Sequence, residues 1–310
     1  MLYELGVTTD TPGSLFIASM NGSKKLIGSV CGILAAVCYG TNPLGALNLY
    51  QEGMATGSVL FYRFGLAWVI IAAVMAIRRE SVKVSRKEFA VVTALGVLFT
   101  FSSLTLYESF NRMAAGVAST ILFTYPVMTA VIMALFFKER TTWQTIVALV
   151  LSVAGVALLY WTGGTTGTLP LWGVVLVLIS ALTYALYIIV VDRSDIHLSS
   201  FKINFYVLFY CALGMVIYTI LSGQTLMLPP SGRAWFYVGW LAIVPAIMAL
   251  SLMVYSAKFI GSTATAIIGA LEPLTAVAIG VCVFSEPFSL RLVVGIVLIL
   301  VAVVLTVLKK

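Results

Sequence analysis

The side chains able to do chemistry are few in this chain, and one acid stands out. In the stretch Ile260 to Glu286, IGSTATAIIGALEPLTAVAIGVCVFSE, a carboxylate is followed directly by a proline, Glu272-Pro273. The stretch is long enough to cross a bilayer, and Glu272 falls near its middle. A carboxylate at that depth is costly, about 2.5–3.5 kcal/mol on insertion scales for the related Asp, so an intramembrane acid is first read as functional. It could bind a substrate amine or exchange a proton. The structural alternative is that Glu272 accepts hydrogen bonds from a neighbouring helix and holds the bend at Pro273, whose ring removes a backbone donor. Both readings stand at this point.

An earlier stretch is built alike. Ala114 to Glu139, AAGVASTILFTYPVMTAVIMALFFKE, carries Tyr125-Pro126 and ends in Glu139 as the later one ends in Glu286. The two terminal acids are expected to be architectural, each facing the positive N-terminal end of the helix that follows it, with Thr142 or Ser289 as a possible N-cap. Polar-tipped aromatics supply the remaining candidates. Tyr39 and Asn42 share a face of the first helix, and Tyr184 and Tyr187 do so in the sixth. Tyr107, Tyr125 and Tyr255 lie inside helices, unlike Tyr50, Tyr160, Trp161, Trp172, Trp235 and Tyr237, which fall at helix ends as interfacial aromatics do. Converging tyrosines would suit an amphipathic ligand. The Asn42 amide has a structural use as well, since it precedes Pro43 and could satisfy a freed carbonyl. Arg63, about 9 Å into its helix at 1.5 Å per residue, is expected to snorkel to the interface or pair with Glu52 or Glu108; a substrate carboxylate is the alternative.

The elements that must position these groups follow from composition. Of 310 residues, 61% are hydrophobic and 9% charged, and the mean hydropathy is +1.10. A soluble domain is about a quarter charged, so a soluble enzyme is excluded. Ten helices are predicted: Leu26–Tyr50, Gly57–Ile77, Glu88–Phe110, Ala114–Phe137, Trp143–Trp161, Leu171–Val191, Phe201–Ser222, Ala234–Ala257, Ile260–Phe284 and Leu290–Leu308. Of the 18 Lys and Arg, Arg112, Arg233 and Arg291 fall on one side and Arg63 within a helix; all others fall on the opposite side. By the positive-inside rule both termini are cytoplasmic. The net charge of +7 is thus spent on orientation, and no nucleic-acid partner is expected. Residues 1–24 lack the pattern of a cleaved signal peptide, and translation could start at Met20.

The first five helices resemble the last five. An offset of 147 carries Pro126 onto Pro273 and Glu139 onto Glu286; offsets of 145 and 148 carry Tyr39 onto Tyr184 and Tyr107 onto Tyr255. Five is odd, so the halves run in opposite directions. The expected fold is an all-α membrane protein of ten transmembrane helices in two inverted five-helix repeats, residues 26–161 and 171–308, behind a cytoplasmic tail of residues 1–25. Inverted repeats with a midplane site at their interface are a transporter signature. Four prolines, Pro43, Pro126, Pro245 and Pro273, fall inside helices and mark bends.

No Walker A sequence or catalytic grouping is present, so neither an ATP-driven pump nor a soluble-type enzyme chemistry is expected. Cys31, Cys38, Cys211 and Cys282 lie in apolar runs without metal-ligand spacing, and His197 falls in a loop with Asp192 and Asp195 that reads as solvated. No cofactor and no metal are expected.

With FTYPVMTAVIMALFFKE closing helix 4, ALEPLTAVAIGVCVFSE closing helix 9, AAVCYG in helix 1 and LFYRFG in helix 2, the chain resembles the EamA-type branch of the drug/metabolite transporter superfamily over residues 25–308. The resemblance implies an inner-membrane exporter of amino acids or related small metabolites, with a central cavity lined by both halves. The site expected on these grounds is Tyr39, Asn42, Tyr107, Tyr125, Tyr184, Tyr255 and Glu272 for substrate, Pro126 and Pro273 for gating, and Glu272 for proton coupling. The partners are a small-molecule substrate and the lipid bilayer, and the ten-helix unit could function as a monomer. An importer of a vitamin or nucleobase is the first alternative. A lipid-acting membrane enzyme or a sensory subunit is more remote.

Overall fold

The computed structural model describes residues 12–138, 142–160, 170–194 and 198–308. Glu139, Trp161, Asp195 and His197, named above, lie outside the described residues. Among the described residues there are helices and no strands, and ten spans are long and apolar enough to cross a membrane. In the first half the elements are α1 (Pro12–Gly40), α2 (Asn42–Gln51), α3 (Thr56–Ile77), α4 (Arg86–Phe110), α5 (Ala115–Leu122), α6 (Tyr125–Phe137) and α7 (Trp143–Tyr160). In the second they are α8 (Leu171–Arg193), α9 (Ser200–Leu221), α10 (Gly232–Ile243), a π-helical turn Val244–Met248, α11 (Ala249–Ile260), α12 (Ser262–Gly269), α13 (Leu271–Phe284) and α14 (Leu290–Val307).

The prolines explain why ten spans become fourteen helices. Each of the four falls just past an interruption: Pro43 opens α2, Pro126 opens α6, Pro245 lies in the π turn and Pro273 opens α13. A proline cannot donate to the helix ladder, and its ring crowds the carbonyl four residues back. In a bilayer the freed groups must find partners inside the protein. At the first break they do. Thr41 Oγ1 donates to the Cys38 carbonyl at 2.7 Å, and Asn42 Nδ2 donates to the Tyr39 carbonyl at 2.8 Å.

The repeat is visible in the element bounds. Adding 147 to each residue number carries α5 onto α12 and α7 onto α14, end to end. Adding 144 carries α3 onto α9. The same shift of 147 carries Lys138, which closes α6 in the left-handed region at φ 56°, onto Ser285, which closes α13 at φ 54°. Packing obeys the inverted repeat too. α3 lies against α9, α7 against α14, α4 against α8, α1 against α11 and α5 against α13, so each close partnership crosses between the halves. The chain is therefore an all-helical, ten-span protein of two inverted five-helix repeats.

Candidate functional site

Three helix breaks meet at the interface of the halves. α1 ends at Gly40, where an added Cβ would stand 2.5 Å from Thr275 and 2.7 Å from the Glu272 carbonyl. A glycine is needed for α1 to end that close to the first turn of α13. Glu272 occupies that first turn, and Tyr125 occupies the equivalent first turn of α6. Glu272 is partly buried and makes no hydrogen bond or ion pair among the described residues. Gly40 at the end of α1 packs on this turn, and Tyr125 at the matched turn of α6 meets Tyr184 of the other half.

The aromatic wall is continuous. Tyr125 meets Tyr184 edge-on with ring centroids 4.7 Å apart, Tyr184 stacks on Tyr187 at 5.9 Å and 6°, and Phe99 touches both Tyr184 and Tyr187. Phe123 abuts Tyr125 from the break itself. A cleft of about 410 Å³ opens beside Tyr125 and Pro126, bounded by Met133, Ile188, Val303 and Val307. Thr124, at the start of α6, is 2% exposed and its hydroxyl has no partner.

A second polar group adjoins the first. Arg63 of α3 is 6% exposed and donates through Nη1 to the Tyr107 hydroxyl; its guanidinium also lies 5.3 Å from the Phe64 and Tyr107 ring centroids. The Tyr107 hydroxyl in turn donates to Asn42 Oδ1 at 3.2 Å. Asn42 thus ties α4 to the first break, and its amide is spent on structure at both ends.

Of the seven expected substrate contacts, Tyr125 and Tyr184 touch, Tyr125 and Glu272 hold the matched first turns of α6 and α13, and Tyr107 is joined through Asn42 to the Tyr39 carbonyl. Tyr255 joins none of these: it is 55% exposed on α11 and has no hydrogen bond or ring contact with the others. Arg63 overturns its expectation. It neither snorkels nor pairs with an acid. Glu108 bonds Arg112 at 3.0 Å and the Tyr218 hydroxyl at 3.0 Å, while Glu52 accepts from Ser231 at 3.0 Å. Nearer partners satisfy both acids, and the Arg63 side chain turns inward to the Tyr107 ring instead. Depth in the helix was the signal available in sequence, and it pointed the wrong way because rotation about the helix axis decides what an arginine meets.

Ser289 caps α14 as expected, accepting from Leu292 N–H at 3.2 Å, and Glu286 is architectural as expected but serves a different helix end. Its carboxylate instead accepts from Ala115 N–H at 2.6 Å and Gly116 N–H at 3.2 Å, the start of α5 in the other half. Gly280 clears its path, since a Cβ there would collide with the Glu286 carboxylate. Burial pushes the Glu286 carboxyl up from its usual range, and the two backbone N–H groups pull it partly back.

The sequence matches the EamA-like transporter family over residues 26–161 and 171–308. It is 23% identical over 278 residues to the uncharacterized transporter YcbK of Bacillus subtilis (strain 168), covering 86% of this chain and 88% of that one. It is 24% identical over 270 residues to an uncharacterized transporter of Archaeoglobus fulgidus, covering 86% and 92%. A solved crystal structure shares the fold with a TM-score of 0.64 at 17% identity, over 90% of this chain and 95% of that chain.

Proposed function

The chain belongs to the EamA-like transporter family and is a multi-pass membrane transporter, and from that premise we propose that it exports small amphipathic metabolites, amino acids or related compounds, by alternating access. The observation that carries this reading is Glu272: a carboxyl without a hydrogen-bond partner among the described residues, in the first turn of α13 where the end of α1 packs on it, with the Tyr125–Tyr184 pair at the matching break of α6. An ammonium group would find there a counter-charge and aromatic faces together. Residues 26–161 and 171–308 are the two units that rock, behind a tail of residues 1–25. Pro126 and Pro273 are the deformable points, since neither helix break holds a full ladder of backbone bonds across it. Glu272 exchanges the coupling proton.

The lysine and arginine asymmetry supports cytoplasmic termini in a bacterial inner membrane. The unit works as a monomer with a small-molecule substrate. The decisive experiment is sided flux in proteoliposomes with labelled amino acids, a nucleobase and a vitamin. Export of amino acids from the cytoplasmic-side compartment is expected. Uptake of only the nucleobase or vitamin in the opposite direction would replace this reading with that of an importer.

A further inference from the structure

Among the described residues Arg63 is a positive charge with no counter-charge beside it. A guanidinium stays protonated in proteins and carries five N–H donors. Here Nη1 is taken by the Tyr107 hydroxyl, Nε is buried without a partner, and Nη2 makes no hydrogen bond. Among the described residues no carboxylate lies within ion-pair distance. By contrast Arg112 has Glu108 at 3.0 Å, and Arg233 donates to Asn48 Oδ1 at 2.6 Å. An uncompensated buried charge is among the costliest features a protein can keep.

Glu272 is a partly buried carboxyl that likewise makes no hydrogen bond or ion pair among the described residues. The two are not paired with each other, although a run of contacts leads from Arg63 through Tyr107 and Asn42 to the Tyr39 carbonyl, next to Gly40, which packs on the Glu272 turn. The unoccupied edge of the guanidinium, Nε with Nη2, is the planar fork that grips a carboxylate with two parallel hydrogen bonds. We propose that Arg63 recognises the carboxylate of the transported molecule through this edge, while Glu272 takes its ammonium group. The substrate is then a zwitterion, and Arg63 is its specificity-determining residue. The inference rests on the transporter reading above. Nε is closed off in this conformation, so the fork is reached when the halves move.

The test compares each amino acid that stabilises the purified full chain with its own carboxamide, which keeps the ammonium group and loses the negative charge. Thermal-shift titrations are run on the wild type, Arg63→Gln and Arg63→Lys. The wild type should favour the acid over the amide by at least about tenfold, a difference of about 1.4 kcal/mol. Arg63→Gln should bring acid and amide within about threefold of each other by weakening the acid alone, with Arg63→Lys between. A purely structural Arg63 would weaken both ligands alike, and that result overturns the proposal. So does a wild type that binds the amide as tightly as the acid, which needs no variant to fold and leaves the export reading intact if flux persists. If no amino acid binds or moves, the export reading fails and this inference fails with it.

Discussion

The two broken helices at the heart of the molecule make a controlled comparison. α5–α6 and α12–α13 share an eight-residue first helix, an interruption, a proline and a left-handed closing residue. They differ in the side chain placed before the proline: Tyr125 in one, Glu272 in the other. What is common to both halves is required by the bilayer and the inverted repeat. What differs is free to be chemistry. The same logic applies one layer out. α1 is interrupted at Thr41, yet α8, its counterpart in the second half, runs unbroken from Leu171 to Arg193. At the offset of 145, Gly40 corresponds to Ala185. α4 is continuous, whereas α10 and α11 are joined by a π turn at Pro245. The first half therefore breaks next to Asn42 and Arg63, and the second half contributes the acid.

The largest effect belongs to that acid. Glu272→Gln keeps the shape of the first turn of α13 and removes its ability to exchange a proton. Flux driven by a pH gradient in proteoliposomes should fall at least about tenfold, the equivalent of about 1.4 kcal/mol, while Tyr125→Phe at the matched position should cost much less. If Glu272→Gln retains gradient-driven flux, proton coupling is not its role and the asymmetry between the halves lies elsewhere.

Next comes the link between the first break and Arg63. The Tyr107 hydroxyl accepts from a guanidinium and donates to Asn42, and Tyr107 is 1% exposed. Tyr107→Phe strands both partners. Hydrogen bonds to charged groups contribute about 1.5–3 kcal/mol, so the thermal midpoint of the purified protein should drop by a corresponding margin. An unchanged midpoint would show that the network does not hold the α1–α2 break in place.

Glu286 gives a smaller effect with a definite pH signature. It fastens α13 to the start of α5, and losing such a cap costs about 0.5–2 kcal/mol. Burial raises its carboxyl above the ordinary Glu value of about 4.3. The folded chain thus holds this proton to higher pH than the unfolded chain does. Where the native state binds more protons, stability falls as pH rises. This contribution is fully present below the unfolded value and is lost as pH climbs through the folded one. Glu286→Gln should flatten that decline in midpoints measured from about pH 4 to 8. A wild type whose stability rises across the window would show that the Ala115 and Gly116 N–H groups outweigh burial.

Much of this architecture was legible in the residues. Apolar run length gave the ten spans, because about 20 residues are needed to cross the hydrocarbon core. The four prolines marked all four interruptions, because a missing N–H cannot be hidden in lipid. The shared proline spacing gave the repeat. Partner identity was less legible. Sequence points Glu286 at the helix that follows it, since it shows only neighbours along the chain, whereas an inverted repeat brings the start of α5 beside the end of α13. For Arg63 the sequence points to the interface or to an ion pair with Glu52 or Glu108, since depth can be counted from sequence and the direction of a side chain cannot.

Tyr255 is the smallest and sharpest test of how far the repeat carries function. Its offset of 148 matches it to Tyr107, and on that correspondence it belongs with the binding residues. The π turn intervenes. It inserts an extra residue into the helical ladder between Ile243 and Ala249, which shifts the faces presented by everything after it. α4 has no such turn, so Tyr107 stays on the inner face while Tyr255 is left 55% exposed. Tyr255→Phe should therefore change neither flux nor midpoint beyond about 0.5 kcal/mol, the range of ordinary surface substitutions. Measured beside Tyr107→Phe, it asks whether sequence correspondence or helix rotation governs these positions. A Tyr255→Phe loss as large as that of Tyr107→Phe would mean that Tyr255 turns into the cavity in another state of the transport cycle.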